Sequence, residues 1–359
     1  MDTTDKEIVF DSSGHCNHCT EYFSHSKKTI SITEKDLQQF FHLIEEIKLK
    51  GKNQKYDCIV GVSGGIDSAY LVYKMVEMGL RPLAIHVDNG WNSEIAVSNL
   101  EKVLTCLKVD LYTYVIDWEE FKDLQLSFLK AGVVDIELLT DQAISAVLNK
   151  HSIKFNTKFI FHGVNSSSES ILPKSWIHWK HDVLNIKSIH SKFGKIRLKT
   201  YPFLTYFLEY WHIKFRKTKH ILALNYLNYN KSEAEKVLKE KFDWKDYGDK
   251  HHESVFTRFY QSYILPVKFN IDKRKAHLSS LICSGQITRE EAIAELKFEP
   301  WKSNKTIEDK QFVIKKLDVS EQEFDNWMKE KPISHFNYSS YLTKHDRIVK
   351  NIKKFFGRK

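Results

Sequence analysis

Short apolar runs alternate with amphipathic segments through the first half of the chain. The strand-like runs occupy residues 58–62, 82–87, 111–116 and 159–162. The segments between them place apolar residues at spacings of three and four, which is the helical pattern, over residues 66–78, 94–107, 118–130 and 141–151. Alternating strands and helices predict an α/β fold with a doubly wound parallel sheet. The ligand crevice of such a sheet lies at the carboxyl ends of its strands.

The pattern changes on both sides of this region. Residues 1–30 look irregular, and a helix with Thr33 as its N-cap is predicted over residues 32–50. Beyond about residue 170 the chain becomes mostly helical, aromatic and basic, without a clear linker. We therefore predict a small N-terminal knuckle in residues 1–30, an α/β domain in residues 31–170, and a helical substrate or partner region in residues 171–359.

The turn after the first strand reads Gly-Val-Ser-Gly-Gly-Ile-Asp-Ser over residues 61–68. Its glycines allow positive φ angles, so that successive N–H groups line one concavity backed by a helix N-terminus. The hydroxyls of Ser63 and Ser68 add donors for phosphate oxygens. A Walker A loop would carry a lysine here, and none is present. A tight glycine turn with no ligand is the competing interpretation.

The same residues resemble the PP-loop of the ATP pyrophosphatases. That resemblance implies the HUP-like fold of the adenine nucleotide alpha hydrolases and cleavage of ATP between its α- and β-phosphates. It also implies that Ser63, Gly64, Gly65, Asp67 and Ser68 bind the nucleotide and that Asp67 is catalytic.

Two further polar segments follow predicted strands at the same edge of the sheet. His86 and Asp88 come at the end of the second strand, where they are expected to border the adenosine; a structural turn at Asn89-Gly90 is the alternative. Gly163 and Asn165 follow the fourth strand, where the asparagine either hydrogen-bonds the nucleotide or caps the next helix. Because three motifs converge on one edge, we expect the ATP site there.

Composition narrows the class of protein. The net charge of +9 suits nucleic acid, anionic metabolites or a membrane surface about equally. No stretch approaches the roughly 20 uninterrupted apolar residues of a membrane span, and no signal peptide is recognisable. Five cysteines, two of them in Cys16-Asn17-His18-Cys19, favour a reducing compartment and a metal or redox pair over a disulfide framework. A cytoplasmic protein without a transmembrane segment is expected.

Two basic segments lie in the second half of the chain. Residues 344–359 combine lysines and arginines with apolar residues at helical spacing, which predicts a basic amphipathic helix that either packs on the body of the protein or contacts a partner. Further upstream, Lys250, His251, Glu253 and Arg274 are candidate catalytic residues. They are expected to neutralise pyrophosphate or to transfer protons, and a solvated charged face is the alternative.

Several separated sequence blocks make a more specific resemblance. They are Asp2-Thr3-Thr4 with the Cys16/Cys19 motif, the loop at residues 63–68, and the stretches at 171–176, 198–202, 224–231, 250–254 and 276–292. From Met1 to about Trp301 the chain resembles the N-acetyl sugar amidotransferases of bacterial surface-glycan synthesis. This group contains the lipopolysaccharide (O-antigen) and pseudaminic or legionaminic acid amidotransferases.

The resemblance implies a reaction, cofactors and partners. ATP, with Mg²⁺, would activate the acetamido group of an N-acetyl sugar by adenylation, and ammonia would then convert it to an acetamidino group. The ammonia would come from separate glutaminase and cyclase-like subunits, as in imidazole-glycerol-phosphate synthase. Members of the family carry a further Cys-x-x-Cys before the position of Met1, which together with Cys16 and Cys19 makes a four-thiolate zinc site. The chain as given does not contain that second pair, so Zn²⁺ binding, with help from His15 or His18, stays open.

Two other classes compete with this interpretation. A PP-loop tRNA-modifying enzyme of the thiolation or lysidine type would use the same adenylation, and basic charge would suit tRNA. However, Cys58, Cys106 and Cys283 fall in a predicted strand and in helices rather than in a sulfur-relay arrangement, so nucleic acid is the less expected partner. The third class is a scaffold that binds nucleotide without catalysis, against which the intact PP-loop argues.

Overall fold

The computed structural model describes residues 1–29, 32–227, 229–246 and 253–343. These residues form one parallel sheet of five strands in the order β3-β2-β1-β4-β5. The strands are β1 (Cys58–Val62), β2 (Pro82–Asp88), β3 (Leu111–Val115), β4 (Phe159–Phe161) and β5 (Lys219–Ile221). The α/β fold expected from the sequence pattern is therefore confirmed. The reversal of strand order on either side of β1 puts the ligand crevice at its carboxyl end.

Helices connect the strands and cover both faces of the sheet. In the first part of the chain they are α1 (Asn17–Thr29), α2 (Glu34–Gly51), α3 (Ile66–Glu77), α4 (Glu94–Leu107), α5 (Trp118–Ala131), α6 (Leu138–Lys154) and α7 (Ser166–Glu169). Thr33 is the N-cap of α2, as predicted, in a reciprocal capping box with Asp36.

The region beyond residue 170 is mostly helical, as expected. Its helices are α8 (Val183–Phe193), α9 (Tyr206–Lys214), α10 (Lys231–Phe242), α11 (Val255–Phe259), α12 (Leu265–Phe269), α13 (Arg274–Cys283), α14 (Arg289–Leu296), α15 (Asn304–Leu317) and α16 (Glu321–Lys329). A π-helical turn, Tyr260–Ile264, joins α11 to α12, and short 3₁₀ turns lie at Lys174–Trp176, Ala223–Tyr226, Pro300–Lys302 and His335–Asn337. Among all the residues that the structure describes, no helix is long and apolar enough to cross a membrane.

Alternate residues of each central strand face opposite layers of the core. In β1, Ile59 packs in the cluster that includes residues of α5, α6 and α11, whereas Val60 packs in the cluster with residues of α2, α3 and α10. A side chain at position 61 would crowd Leu148 of α6, since an ideal Cβ there would lie 3.1 Å from Leu148 Cδ1. Gly61 thus lets α6 lie close against the centre of the sheet.

The structure corrects two expectations about the domain organisation. Residues 1–30 are not wholly irregular, because α1 spans Asn17–Thr29 and packs against α13. Strand β5 comes from beyond residue 170 and pairs with β4, so the sheet is not confined to residues 31–170. The segment expected to be helical and substrate-binding therefore also completes the parallel sheet.

Candidate nucleotide site and acceptor wall

The loop between β1 and α3 is preformed by its own hydrogen bonds. Gly64 has a φ of +84°, and an ideal Cβ there would lie 2.7 Å from the Ala96 carbonyl oxygen, so only glycine fits. The Ser63 hydroxyl accepts from Gly65 N at 3.2 Å, and the Ser68 hydroxyl donates to Gly65 O at 3.1 Å. The loop and the N-terminus of α3 together have the arrangement that an anion site needs.

Asp67 lies in the first turn of α3, and two neighbouring elements hold its carboxylate. The Tyr229 hydroxyl donates to one oxygen, and the Asn165 side-chain amide donates to the other at 3.3 Å. Tyr229 precedes α10, and Asn165 follows β4. These two hydrogen bonds fix the orientation of the carboxylate.

The end of β4 touches the same loop. An ideal Cβ on Gly163 would lie 3.0 Å from both the N and the Cα of Ser68, so the absence of a side chain lets β4 meet the N-terminus of α3. The side-chain oxygen of Asn165 accepts from Ser168 N at 3.0 Å and so caps α7. Of the two roles expected for Asn165, the structure shows the cap, and it adds the contact with Asp67.

At the end of β2 the predicted residues bond to protein groups. The buried His86 ring donates from Nδ1 to Val62 O at 2.9 Å, because a carbonyl can only accept, and its Nε2 then accepts from Asn92 at 3.0 Å. Asp88 accepts from Gly90 N at 2.8 Å and from Asn92 at 2.9 Å. These bonds favour the turn interpretation of the segment. They also identify Asn92, which sequence reasoning missed, as the residue that ties the turn together.

Glu253 lies beside the loop, although it is distant from the loop in the sequence. The backbone of residues 253–255 runs beside residues 91–93, with Ser93 N donating to Glu253 O and Val255 N donating to Trp91 O, each at 2.8 Å. This pairing sets the Glu253 carboxylate against the loop, where Oε1 would lie 3.3 Å from an ideal Cβ on Gly65. Lys250 and His251, predicted with it as catalytic residues, lie outside the described residues.

Arg274 has partners other than the loop. Its guanidinium donates to both carboxylate oxygens of Asp272, at 3.0 and 2.6 Å, and to the carbonyl oxygens of Glu295 and Phe298, at 3.2 and 3.0 Å. A carboxylate two residues away thus captures the guanidinium in a bidentate pair. The catalytic role expected of Arg274 stays a prediction.

A polar cluster, which we call the acceptor wall, joins the start of α6 to α11. It consists of Glu137, Asp141, Lys180 and Thr257. The Thr257 hydroxyl donates to Glu137 at 2.9 Å, and the Lys180 ammonium pairs with Asp141 at 3.0 Å and with Asp135 at 2.8 Å. Sequence reasoning missed this wall because its members are far apart in the chain.

Burial and the negative charge of Asp141 raise the pKa of Glu137 to about 7. The hydrogen bond from Thr257 and the charges of Lys273 and Lys180 oppose that rise. The carboxyl of Glu137 therefore changes its charge near neutral pH.

The structure gives no support for zinc binding by the N-terminal cysteines, which the sequence left open. Cys16 and Cys19 lie close together, with 3.5 Å between their sulfurs, and Cys283 of α13 joins them. His18 is held instead by Asp5 at 2.6 Å. Throughout the part of the chain that the structure describes, no group of three or more histidine, cysteine, aspartate or glutamate side chains is arranged to hold a metal ion. The expectation of zinc is thus not supported.

Comparison with known proteins adds one informative match. Residues 253–353 match the family model "LPS biosynthesis protein WbpG-like, C-terminal domain". No curated protein matches the chain. The solved structures that are similar to it include two synthetases, each with a TM-score of 0.30. The NH3-dependent NAD synthetase from Campylobacter jejuni, in complex with nitrate, is 17% identical and covers 58% of this chain and 94% of its own. The NMN synthetase from Francisella tularensis is 15% identical and covers 62% and 87%.

The matched segment begins at Glu253, the residue that the fold sets against the nucleotide loop, and it includes α11 to α16. It also includes Thr257 of the acceptor wall. The matched segment thus supplies one residue beside the loop and one residue of the acceptor wall. The C-terminal region of this chain is therefore similar to the WbpG-like proteins of lipopolysaccharide biosynthesis, in agreement with the resemblance to the sugar amidotransferases.

Proposed function

We propose that this protein is an ATP-dependent amidotransferase that converts the acetamido group of an N-acetyl sugar to an acetamidino group for a bacterial surface glycan. The observation that carries the proposal is the preformed loop at Ser63–Ser68, with the carboxylate of Asp67 held in its mouth. The blocks shared with the amidotransferases and the WbpG-like match of residues 253–353 support the choice of a glycan precursor.

The loop's N–H groups and hydroxyls would bind the β- and γ-phosphates of ATP. The carboxylates of Asp67 and Glu253 both border the loop, and this fits Mg²⁺, which is usually bound through one or two carboxylates together with substrate phosphates. When bound, Mg²⁺ would neutralise charge on the departing pyrophosphate. Without it, two carboxylates beside a polyphosphate would repel the substrate.

The acetamido group needs activation because an amide carbon is a poor electrophile. Its oxygen would attack the α-phosphorus, the bond to the bridging oxygen would break, and pyrophosphate would leave. The resulting O-adenylyl imidate then accepts ammonia at carbon, and AMP departs with the original amide oxygen. The protein's task is to align the amide oxygen with the α-phosphorus and to keep water away.

The ammonia is expected from another subunit. Cys58 lies inside β1, where burial raises the pKa of its thiol well above the usual value, so it is a poor nucleophile. Cys106 and Cys283 lie on helices, and Cys16 and Cys19 lie beside Cys283. None of these positions is a nucleophile turn of the kind that hydrolyses glutamine. We propose a glutaminase partner, with a cyclase-like subunit between the two active sites.

The test is a product analysis with the purified chain. ATP, ammonium and a panel of acetamido sugars, free or nucleotide-linked, should give AMP and pyrophosphate in equal amounts and a sugar whose mass is one unit lower. Glutamine in place of ammonium should give almost no product. Formation of ADP and phosphate contradicts the proposal, as does activation of tRNA in place of every sugar, which would point to the tRNA-modifying class.

A further inference from the structure

The first residue of interest is Glu137, just before α6. Leu148 of α6 packs beneath Gly61 in the centre of β1, and Glu137 lies eleven residues earlier. Because α6 leads back to the start of β4, it runs antiparallel to the strands. A rise of 1.5 Å per residue therefore carries Glu137 roughly 16 Å from Leu148 toward the carboxyl edge of the sheet.

Contacts on both sides place this residue in the crevice. The Thr257 hydroxyl that donates to Glu137 belongs to α11, which begins two residues after Glu253. One turn along α6 from Glu137, the Thr140 hydroxyl accepts from the side-chain amide of Asn89, at the end of β2, at 3.2 Å. Glu137 thus lies at the carboxyl edge of the sheet, between α11 and the end of β2, and it is half-buried there.

We propose that Glu137 is the general base of the amidination step; this rests on the proposed function. When the ammonia nitrogen gives its electron pair to the imidate carbon, the new C–N bond leaves a positive charge on that nitrogen. One N–H proton then passes to the Glu137 carboxylate. The nitrogen lone pair drives out AMP, and the amidinium product forms while the proton leaves Glu137 for solvent.

The surroundings of Glu137 suit that task. Its charged neighbours are Asp141 on its own helix, Lys180 before α8 and Lys273 before α13, and Thr257 of α11 is its hydrogen-bond partner. With a pKa of about 7, its carboxyl is substantially ionised at neutral pH and still basic enough to take a proton. Such a matched base contributes about 10²- to 10⁴-fold in rate.

The experiment separates adenylation from amidination. Glu137→Gln preserves an acceptor for Thr257 and removes the base; Glu119→Gln, at an exposed position of α5, is the matched control. Sugar-dependent ATP–pyrophosphate exchange reports adenylation, and amidine formation at a fixed concentration of free NH3 reports the second step. We expect Glu137→Gln to keep exchange within about twofold and to lose amidination by about 100-fold.

The pH profile supplies a second readout. In the wild type, amidination should rise with pH through about 7, because the base must be ionised, and Glu137→Gln should lack that rise. Equal loss of exchange and amidination would overturn the assignment, since Glu137 would then hold the fold or the nucleotide. Unchanged amidination would overturn it as well. Absence of exchange in the wild type would refute the proposed function itself, and the role of Glu137 with it.

A second, independent observation concerns α9. In this helix, all nine residues of which the structure describes, only His212 is buried. The apolar residues point outward on nearly every side and leave Phe207 78%, Tyr210 48%, Trp211 41% and Ile213 47% exposed, followed by Phe215 at 71%. A helix that is apolar all round needs an apolar environment.

The charges around α9 point to the kind of surface that covers it. Its acidic residue, Glu209, is turned inward to His181 at 2.7 Å, whereas Lys214 and Lys217 at its end are exposed. Tyrosine, tryptophan and lysine together are typical of helices that lie in a membrane interface, whereas lysine is depleted in protein interfaces. We infer that α9 docks this protein on an anionic membrane surface.

Vesicle binding tests this inference. The full chain should co-sediment with phosphatidylcholine vesicles that contain phosphatidylglycerol and bind much less without the anionic lipid. Phe207→Ser with Trp211→Ser should lower binding more than 10-fold. Leu49→Ser, at an exposed position of α2, should not.

Equal binding by the double variant and the wild type would overturn the assignment. So would a wild type that self-associates through these residues, or one that binds a purified ammonia-supplying subunit through them, without affinity for vesicles. The first result would assign α9 to a second copy of the chain, and the second to a protein partner.

Discussion

The two sides of the crevice are built in different ways. The nucleotide side consists mainly of residues contiguous in sequence, Ser63 to Ser68, fixed by hydrogen bonds within one turn. The acceptor wall gathers Glu137, Lys180 and Thr257 from three distant segments. A candidate phosphate site can thus be found from a motif, whereas the acceptor wall is assembled only when the chain has folded.

Substitutions on the nucleotide side should reduce turnover more than substitutions elsewhere in the protein. Asp67→Asn removes the carboxylate at the mouth of the loop, and pyrophosphate release should fall by about 10²- to 10³-fold, the usual size for loss of one electrostatic group in an active site. The melting temperature should stay close to that of the wild type, because the amide retains the hydrogen bond from Tyr229. Asp110→Asn, at an exposed position, is the control. A similar loss of pyrophosphate release in both variants would contradict a specific role of Asp67.

The contact between β4 and the loop can be broken without removing any functional group. In Gly163→Ala the new methyl group would lie 3.0 Å from Ser68 N, so the loop must shift. We expect ATP binding to weaken and turnover to fall by about 10- to 100-fold, as small misplacements in an active site commonly cause. Isothermal titration with a non-hydrolysable ATP analogue measures the binding. The adjacent Val164→Ala, at a half-exposed site, should behave as the wild type.

Arg274 separates catalytic from structural roles in the C-terminal region. Arg274→Ala removes the bonds to Asp272, Glu295 and Phe298, and should lower the free energy of unfolding by about 1–3 kcal/mol. Turnover per folded molecule should change less than threefold. Denaturant unfolding and active-site titration measure the two quantities. A large loss of turnover at unchanged stability would instead support the catalytic role predicted for this residue from the sequence.

The smallest expected effect is a loss of stability in acid that originates at the buried His335. Burial lowers the pKa of His335 to about 3, helped by the nearby His178 and Lys180, so the folded state resists its protonation. The unfolded chain takes up that proton below about pH 6.5, and stability should fall by about 1.4 kcal/mol per pH unit below it. His335→Gln should reduce that fall in denaturant unfolding at pH 7.5 and 5.5. If the variant loses as much stability as the wild type between these two pH values, His335 is not the source of the loss.

Local patterns predicted much of this architecture. The bounds of β1 and α4 agree with the sequence pattern, and Thr33 is the cap that its residue type predicts. Strand β5 escaped notice because Lys-His-Ile is only three residues long and mostly polar. The helix predicted from residue 141 in fact begins at Leu138, and this hid the adjacent Glu137. The partners of Arg274 were not foreseen, because sequence alone does not show that Asp272 and two carbonyl oxygens hold its guanidinium.

The late origin of β5 has a consequence for synthesis on the ribosome. When residues 1–170 have emerged, β4 has no neighbour on one side, and its residues Phe159, Ile160 and Phe161 present an unpaired apolar edge. That edge is closed only about fifty residues later, when β5 is made. The nascent chain therefore passes through a stage in which it can pair with other chains, and chaperones that shield strand edges should favour its correct folding.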